Sequence, residues 1–191
     1  MENLKNCKDS ILIPNPITQV ADMPYALYVS LQGKYFVGYA DNLRFGKGRI
    51  AWAGLVNPEY SNVNLHVYVW TVTNIGTSPL EAQIWFNTTP PGEPVKSEFV
   101  TPANTAVSPL PRPRVRLLQA GSVSGEPEGG DKIQTARVLP EVTIVGEEVG
   151  KYIFPPGGSF IIILSNLEVP DEAGEGRIAF GWYEEKIIDN K

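Results

Sequence analysis

Histidine and cysteine, on which much enzyme chemistry depends, each occur once in this chain of 191 residues. A nucleophilic triad needs a base, which is almost always histidine, and His66 lies in a strand-like segment beside aromatic residues. A zinc site needs several histidine or cysteine ligands, which His66 and Cys7 together cannot supply. We therefore interpret His66 as a structural residue, and the sequence predicts no catalytic, cofactor-binding or metal site.

Paired carboxylates offer another route to catalysis, because glycoside hydrolases set two of them about 5–9 Å apart across a cleft. The acidic pairs of this chain are Glu126 with Glu128, Glu147 with Glu148, and Glu184 with Glu185. Neighbouring residues of a strand point to opposite faces, so Glu184 and Glu185 cannot form such a site with each other. A hydrolase would have to combine distant acids, and we expect a protein that is not an enzyme.

The acidic loop GEPEGGD lacks the spacing of a calcium-binding loop. We therefore interpret it as a solvent-exposed loop.

Four tryptophans are the remaining candidates for a binding site. They are Trp52, Trp70, Trp85 and Trp182. Exposed tryptophans on a sandwich face bind sugar rings by stacking, so a carbohydrate-binding module with a sugar ligand is the alternative function. Each tryptophan lies inside an apolar strand pattern, however, and such rings pack in cores by default.

The charge of the chain argues against nucleic acid as a partner. The formal net charge is −5, whereas phosphate neutralisation by a basic face supplies most non-specific affinity for nucleic acid. The one basic cluster, Arg112, Arg114 and Arg116, could form an anion patch. We favour the interpretation that these charges and the nearby prolines protect an edge strand from pairing with another chain. No run approaches the ~20 apolar residues that span a bilayer, so no membrane span is expected.

Strands would have to position any site, because the chain from Lys34 to Glu184 is strand-like almost throughout. In NVNLHVYVWTVTN, one face is predicted to hold Val63, Leu65, Val67, Val69, Thr71 and Thr73. FIIIL is apolar on both faces and is predicted at the centre of a packed layer. The segment YALYVSLQGKYFVGYA is predicted as two short strands joined at Gln32 and Gly33.

These patterns predict an all-β fold. About ten strands, with turn signals between them and no convincing amphipathic helix, indicate a single β-sandwich. Long loops between strands of unequal length favour a jelly roll. We predict that residues 25–188 form this domain.

Residues 1–24 differ in composition and are predicted as an extended N-terminal arm. Prolines at positions 14, 16 and 24 prevent a continuous helix and favour extended geometry before them. The candidate assembly contacts of this arm are Cys7, Ile11, Leu12, Ile13 and Ile17. Cys7 could pair with another chain, or it could be an incidental free thiol.

Several segments together resemble a small family of endospore-forming bacteria that has no assigned activity. They are GKYFVGYA, AWAGLVNPEYSNVNLHVYVWTVTN, PPGGSFIIIL and AFGWYEE. The architecture is more loosely similar to endospore appendage subunits, which are jelly-roll domains whose N-terminal connector arms carry cysteine and clip onto neighbouring subunits. That resemblance implies that residues 1–24 are the connector and that Cys7 lies in it. A single cysteine allows only one cross-link, which departs from the fuller pattern.

Taken together, these observations predict a non-enzymatic structural protein without cofactors, whose partners are copies of itself. It would self-assemble through its N-terminal arm, as a spore-surface or filament subunit. The pattern of the N-terminal residues is not typical of a secretory signal. We therefore expect synthesis in the cytoplasm, and a place on the spore or cell surface only after lysis.

Overall fold

The computed structural model describes residues 22–166 and 171–187, which form two antiparallel sheets packed face to face. These residues contain one helix, α1 (Tyr25–Leu31), and eleven strands. The strands are β1 (Tyr35–Gly46), β2 (Ile50–Val56), β3 (Val63–Asn74), β4 (Leu80–Phe86), β5 (Val95–Lys96), β6 (Val100–Pro102), β7 (Arg116–Val123), β8 (Asp131–Val138), β9 (Thr143–Phe154), β10 (Ser159–Ser165) and β11 (Ala173–Lys186). The prediction of an all-β sandwich is confirmed.

The strand order is that of a jelly roll with one inserted segment. One sheet has the order β6-β1-β11-β3-β9, and the other has β5-β7-β2-β10-β4-β8. Without β5, β6 and β7, the order β1-β11-β3-β9 faces β2-β10-β4-β8, so the chain passes repeatedly from one sheet to the other. The inserted segment adds short edge strands to both sheets.

The core lies between the sheets, and β10 is an interior strand of the six-stranded sheet. Every residue of β10 is buried, because β2 and β4 flank it. Phe160, Ile162 and Leu164 point into the main core, whereas Ile161 and Ile163 belong to a second apolar cluster on the other face. The prediction that FIIIL lies at the centre of a packed layer is confirmed.

The face predicted for β3 is correct only for its first half. Leu65 and Val67 are buried in the core as expected, but the next core residues are Trp70 and Val72. Val67 pairs with Trp182 and Val69 pairs with Gly181, so Tyr68 is an extra residue in the strand. Such a bulge shifts every later side chain to the opposite face.

Helix α1 replaces the first of the two strands predicted between residues 25 and 40. Pro24 precedes the helix, and Gly33 follows it with φ +70°, a conformation that commonly ends helices. The N–H of Gly33 donates to Ser30 O and that of Lys34 donates to Val29 O. The predicted division of the chain at residue 24 stays a prediction, because residues 1–21 and 188–191 lie outside the described residues.

Candidate functional site

The outer face of the five-stranded sheet carries an apolar groove, which we call the outer groove. It is a concavity of ≈530 Å³ across β1, β11 and β3, closed at one side by the segment around β6. The lining residues used below are Val37, Tyr39, Val69, Phe99, Ala179 and Gly181. Among the lining side chains, Glu98 is the one that can carry a charge.

Small residues at the centre and aromatic rings at the sides make the groove concave. Gly181 pairs with Val37 on one neighbouring strand and with Val69 on the other. A Cβ atom at Gly181 would lie 2.6 Å from the Tyr35 hydroxyl and 2.8 Å from Val69 Cγ1, so no larger residue fits there. Phe99 stacks on the ring of Tyr39 with 4.6 Å between centroids and forms the wall beside β6.

This outer face is more apolar than the solvent-facing side of an antiparallel sheet usually is. Val37 is 37% exposed and Phe99 is 51% exposed. On β9, at the far side of the same sheet, Val145 and Ile153 are more than half exposed. Val145 and Ile153 lie outside the groove lining, and an exposed apolar groove is typical of an interaction site.

Tyrosine hydroxyls near the groove stay uncharged. Tyr35 packs edge to face on Tyr68 with 5.5 Å between ring centroids. Burial, and secondly the nearby Tyr68, raise the pKa of Tyr35 to about 12. Burial also raises the pKa of Tyr183. Both groups therefore remain protonated at neutral pH, and the groove offers a partner an uncharged surface on this side.

Helix α1 begins on the same outer face. The ring of Tyr25 packs edge to face on Tyr183 at 5.6 Å, and its hydroxyl donates to Glu185 Oε1 at 3.3 Å. Glu185 Oε2 lies 3.3 Å from His66 Nε2. Tyr183 and Gly181 are two residues apart, which is about 7 Å along a strand. The described chain therefore begins beside the outer groove.

The side chain of His66 lies between three strands of the five-stranded sheet. Its ring is buried and stacks on Tyr183 with 4.4 Å between centroids. Nδ1 lies 3.3 Å from the carbonyl oxygen of Gly150, and Nε2 lies next to Glu185. A ring, a carbonyl and a carboxylate surround the imidazole, and these contacts join β3, β9 and β11 beneath helix α1.

Glu184 and Glu185 lie on opposite sides of β11, as predicted. Glu185 faces helix α1, whereas Glu184 is buried and binds the chain that leads into β7. Both Glu184 oxygens accept the backbone N–H of Arg114 at 3.0 Å, and Oε1 also accepts that of Val115. Burial raises the pKa of Glu184, although these hydrogen bonds act in the opposite direction. The carboxylate fastens the start of β7 to the end of β11.

The tryptophans do not form an exposed pair. Trp52, Trp70 and Trp182 are 3% exposed or less. Trp85 is half-buried on the outer face of the six-stranded sheet, with Lys132 Nζ 5.7 Å from its ring centroid. The carbohydrate-binding alternative required at least two tryptophans on one exposed face, so it lacks the observation on which it depended.

The arginine cluster is divided by the fold. The guanidinium of Arg116 lies over the ring of Tyr60, 5.7 Å from its centroid. Arg112 and Arg114 instead line a small pocket with Lys34 and Lys186. These two lysines were not predicted, because each lies more than 70 residues from the arginines and no sequence motif joins them.

The predicted assembly contacts Cys7, Ile11, Leu12, Ile13 and Ile17 all lie outside the described residues. Within residues 22–166 and 171–187, no group of three or more His, Cys, Asp or Glu side chains could hold a metal ion. In the same part of the chain, no helix has the length and apolar character needed to cross a membrane.

Comparison with known proteins identifies a family for this chain. The sequence pattern of a protein family, described as a family of unknown function (DUF6143), matches residues 10–190. No curated protein matches the chain, and no solved structure matches it.

Proposed function

The chain belongs to the DUF6143 family of unknown function, and we propose that it is a non-enzymatic structural protein that assembles with copies of itself. In this proposal the N-terminal arm of one copy, residues 1–24, binds in the outer groove of the next copy. The observation that carries the proposal is an exposed apolar groove beside which the described chain begins. The resemblance to endospore appendage subunits extends the proposal to a filament or spore-surface subunit.

The chemistry of the arm suits the groove. The groove is apolar apart from Glu98, and the arm offers Ile11, Leu12, Ile13 and Ile17. Burial of one such side chain contributes about 1.5–3 kcal/mol. The volume of the outer groove, ≈530 Å³, lies within the range of about 300–1,000 Å³ that is common for ligand pockets.

A neighbour's arm is a better occupant than the arm of the same copy. Ile17 precedes Tyr25 by eight residues, which span up to about 29 Å when extended. Tyr25 packs on Tyr183, which lies two residues along β11 from Gly181 of the groove, so a copy's own arm would have to reverse direction sharply to fill it. Prolines 14, 16 and 24 favour extended backbone instead.

Such a contact is head-to-tail, because the arm and the groove are different surfaces of the molecule. It closes into a ring if the rotation between copies permits and otherwise continues as a filament. Association itself costs several kcal/mol, so we expect assembly to depend strongly on protein concentration and on each apolar contact in the groove.

Light scattering after size-exclusion chromatography tests the proposal with three variants. Deletion of residues 1–20 removes the arm, and Val37→Glu places a carboxylate at an exposed position of the groove. Burial of an unpaired charge under the arm costs several kcal/mol, so both variants should be monomeric at concentrations at which the wild type assembles. Val145→Glu, on the same outer face but outside the groove lining, should assemble normally.

Thermal melts show whether each variant is folded. Assembly that survives both the deletion and Val37→Glu would contradict the proposal, as would a wild-type chain that stays monomeric at every concentration. Loss of the melting transition on deletion would show that the arm belongs to the fold of its own copy, which would also contradict it.

A further inference from the structure

A second pocket lies at the end of the sandwich, where β1 begins and β11 ends. It has a volume of ≈210 Å³, and four cationic side chains line it: Lys34, Arg112, Arg114 and Lys186. All four residues are exposed. Phe36 and Val63, which belong to the apolar core, also contribute to its wall. We call it the cationic pocket, and it does not overlap with the outer groove.

None of these four cations forms an ion pair with a carboxylate among residues 22–166 and 171–187, although Arg114 acts electrostatically on the buried Glu184. The ion pairs of Arg44, His66, Lys151 and Arg177 lie outside this pocket. Arg114 uses Nη1 to donate to Ser61 O at 2.7 Å, which is a neutral acceptor.

The single carboxylate in the lining does not balance these charges. Glu184 is 7% exposed, and backbone N–H groups of Arg114 and Val115 already occupy its oxygens. Four positive charges therefore face one buried carboxylate in a protein whose net charge is −5. A local excess of positive charge in a concave site concentrates anions.

The geometry points to a binding site for the oxyanion group of a small organic acid, with its apolar part against Phe36 and Val63. Arginine binds carboxylates and phosphates through paired N–H donors, and lysine adds a compact charge. The volume of the pocket corresponds to about seven water molecules at ~30 Å³ each, which suits a compact ligand. This inference is independent of the proposed assembly.

Three probes of similar size test the inference: benzoate, phenyl phosphate and the uncharged benzamide. Each is titrated at fixed ionic strength while the ¹H–¹⁵N spectrum of the full chain is recorded. We expect saturable shifts at backbone amides around the pocket for at least one of the two anions, with benzamide at least tenfold weaker. The tighter of the two anions identifies whether carboxylate or phosphate is preferred.

The variant Lys34→Gln/Arg112→Gln should weaken anion binding by about tenfold or more. A hydrogen bond to a charged group is worth about 1.5–3 kcal/mol, and a tenfold change in affinity corresponds to about 1.4 kcal/mol. Lys47→Gln removes an exposed charge away from the pocket and should leave affinity within twofold. Lys186→Gln replaces the double variant if the latter does not fold. Equal binding of benzoate, phenyl phosphate and benzamide, affinity unchanged in the pocket variant, or no saturable binding would overturn the inference.

Discussion

Replacement of Glu184 should destabilise the protein more than replacement of any exposed glutamate. In Glu184→Ala, the backbone N–H groups of Arg114 and Val115 lose their acceptor, and so does Trp182 Nε1, which lies 3.4 Å from Oε1. Val115 and Trp182 are 1% and 0% exposed, so these donors are buried in the folded protein. A buried donor left without a partner costs about 1–3 kcal/mol, and two of them give an expected loss of about 2–6 kcal/mol.

Urea unfolding followed by circular dichroism measures this loss as a change in the free energy of unfolding. Glu147→Ala is the matched control, because Glu147 is exposed on β9, and surface substitutions usually change stability by less than about 0.5 kcal/mol. If Glu184→Ala is no less stable than Glu147→Ala, the reasoning about Arg114, Val115 and Trp182 is refuted.

The pH dependence of Glu184→Gln gives a second measurement on the same group. Burial raises the pKa of Glu184 in the folded protein, so the folded state holds its proton up to a higher pH than the unfolded state, whose pKa is about 4.3. The stability contributed by this carboxyl is therefore largest below pH ~4.3 and is lost as pH rises through the folded pKa. Glutamine does not titrate, so the stability of the wild type relative to Glu184→Gln should fall from pH 4 to pH 7. A difference that stays constant or rises over this range would contradict the raised pKa.

Three further predictions concern packing, the helix anchor and the arm. Gly146→Ala should lower the free energy of unfolding by about 1–3 kcal/mol, because its Cβ atom would lie 2.1 Å from the ring of Trp70; equal stability in urea would show that the ring moves freely. Tyr25→Phe removes the hydroxyl that donates to Glu185 and should speed hydrogen exchange in helix α1 while leaving the sheets protected, and unchanged exchange would show that this contact does not hold the helix. Oxidised assemblies should give a dimer band on non-reducing gels that is absent in Cys7→Ser, and monomers alone would exclude an interchain disulfide.

Side-chain periodicity predicted the fold well where strands are regular. The apolar run of β10 led to its place at the centre of a sheet, because both faces of such a strand must be covered. The same reasoning failed in β3 beyond Val67, where the pairing with β11 inserts Tyr68 as a bulge. A bulge is determined by the partner strand, so the sequence of β3 alone does not reveal it. Helix α1 was missed although Pro24 and Gly33 mark its two ends.

The outer groove could not be predicted from the sequence, and of the cationic pocket only the two arginines, Arg112 and Arg114, were noted as part of a possible anion patch. Gly181 and Ala179 form the floor of the outer groove by being small, and small residues in strands give no signal of a cavity. The cationic pocket joins Lys34, Arg112 and Lys186, which come together only because β1 pairs with β11 and Glu184 fastens the chain before β7. Both surfaces depend on long-range pairing, whereas the N-terminal arm is a prediction from composition alone.

A mixing experiment tests most directly whether an arm fills the groove of a neighbouring copy. The chain lacking residues 1–20 keeps its groove but has no arm, and Val37→Glu keeps its arm but has a blocked groove. Each should be monomeric alone, and a mixture of the two should form a one-to-one dimer in light scattering, with no larger species. Monomers in the mixture, under conditions in which the wild type assembles, would contradict the account.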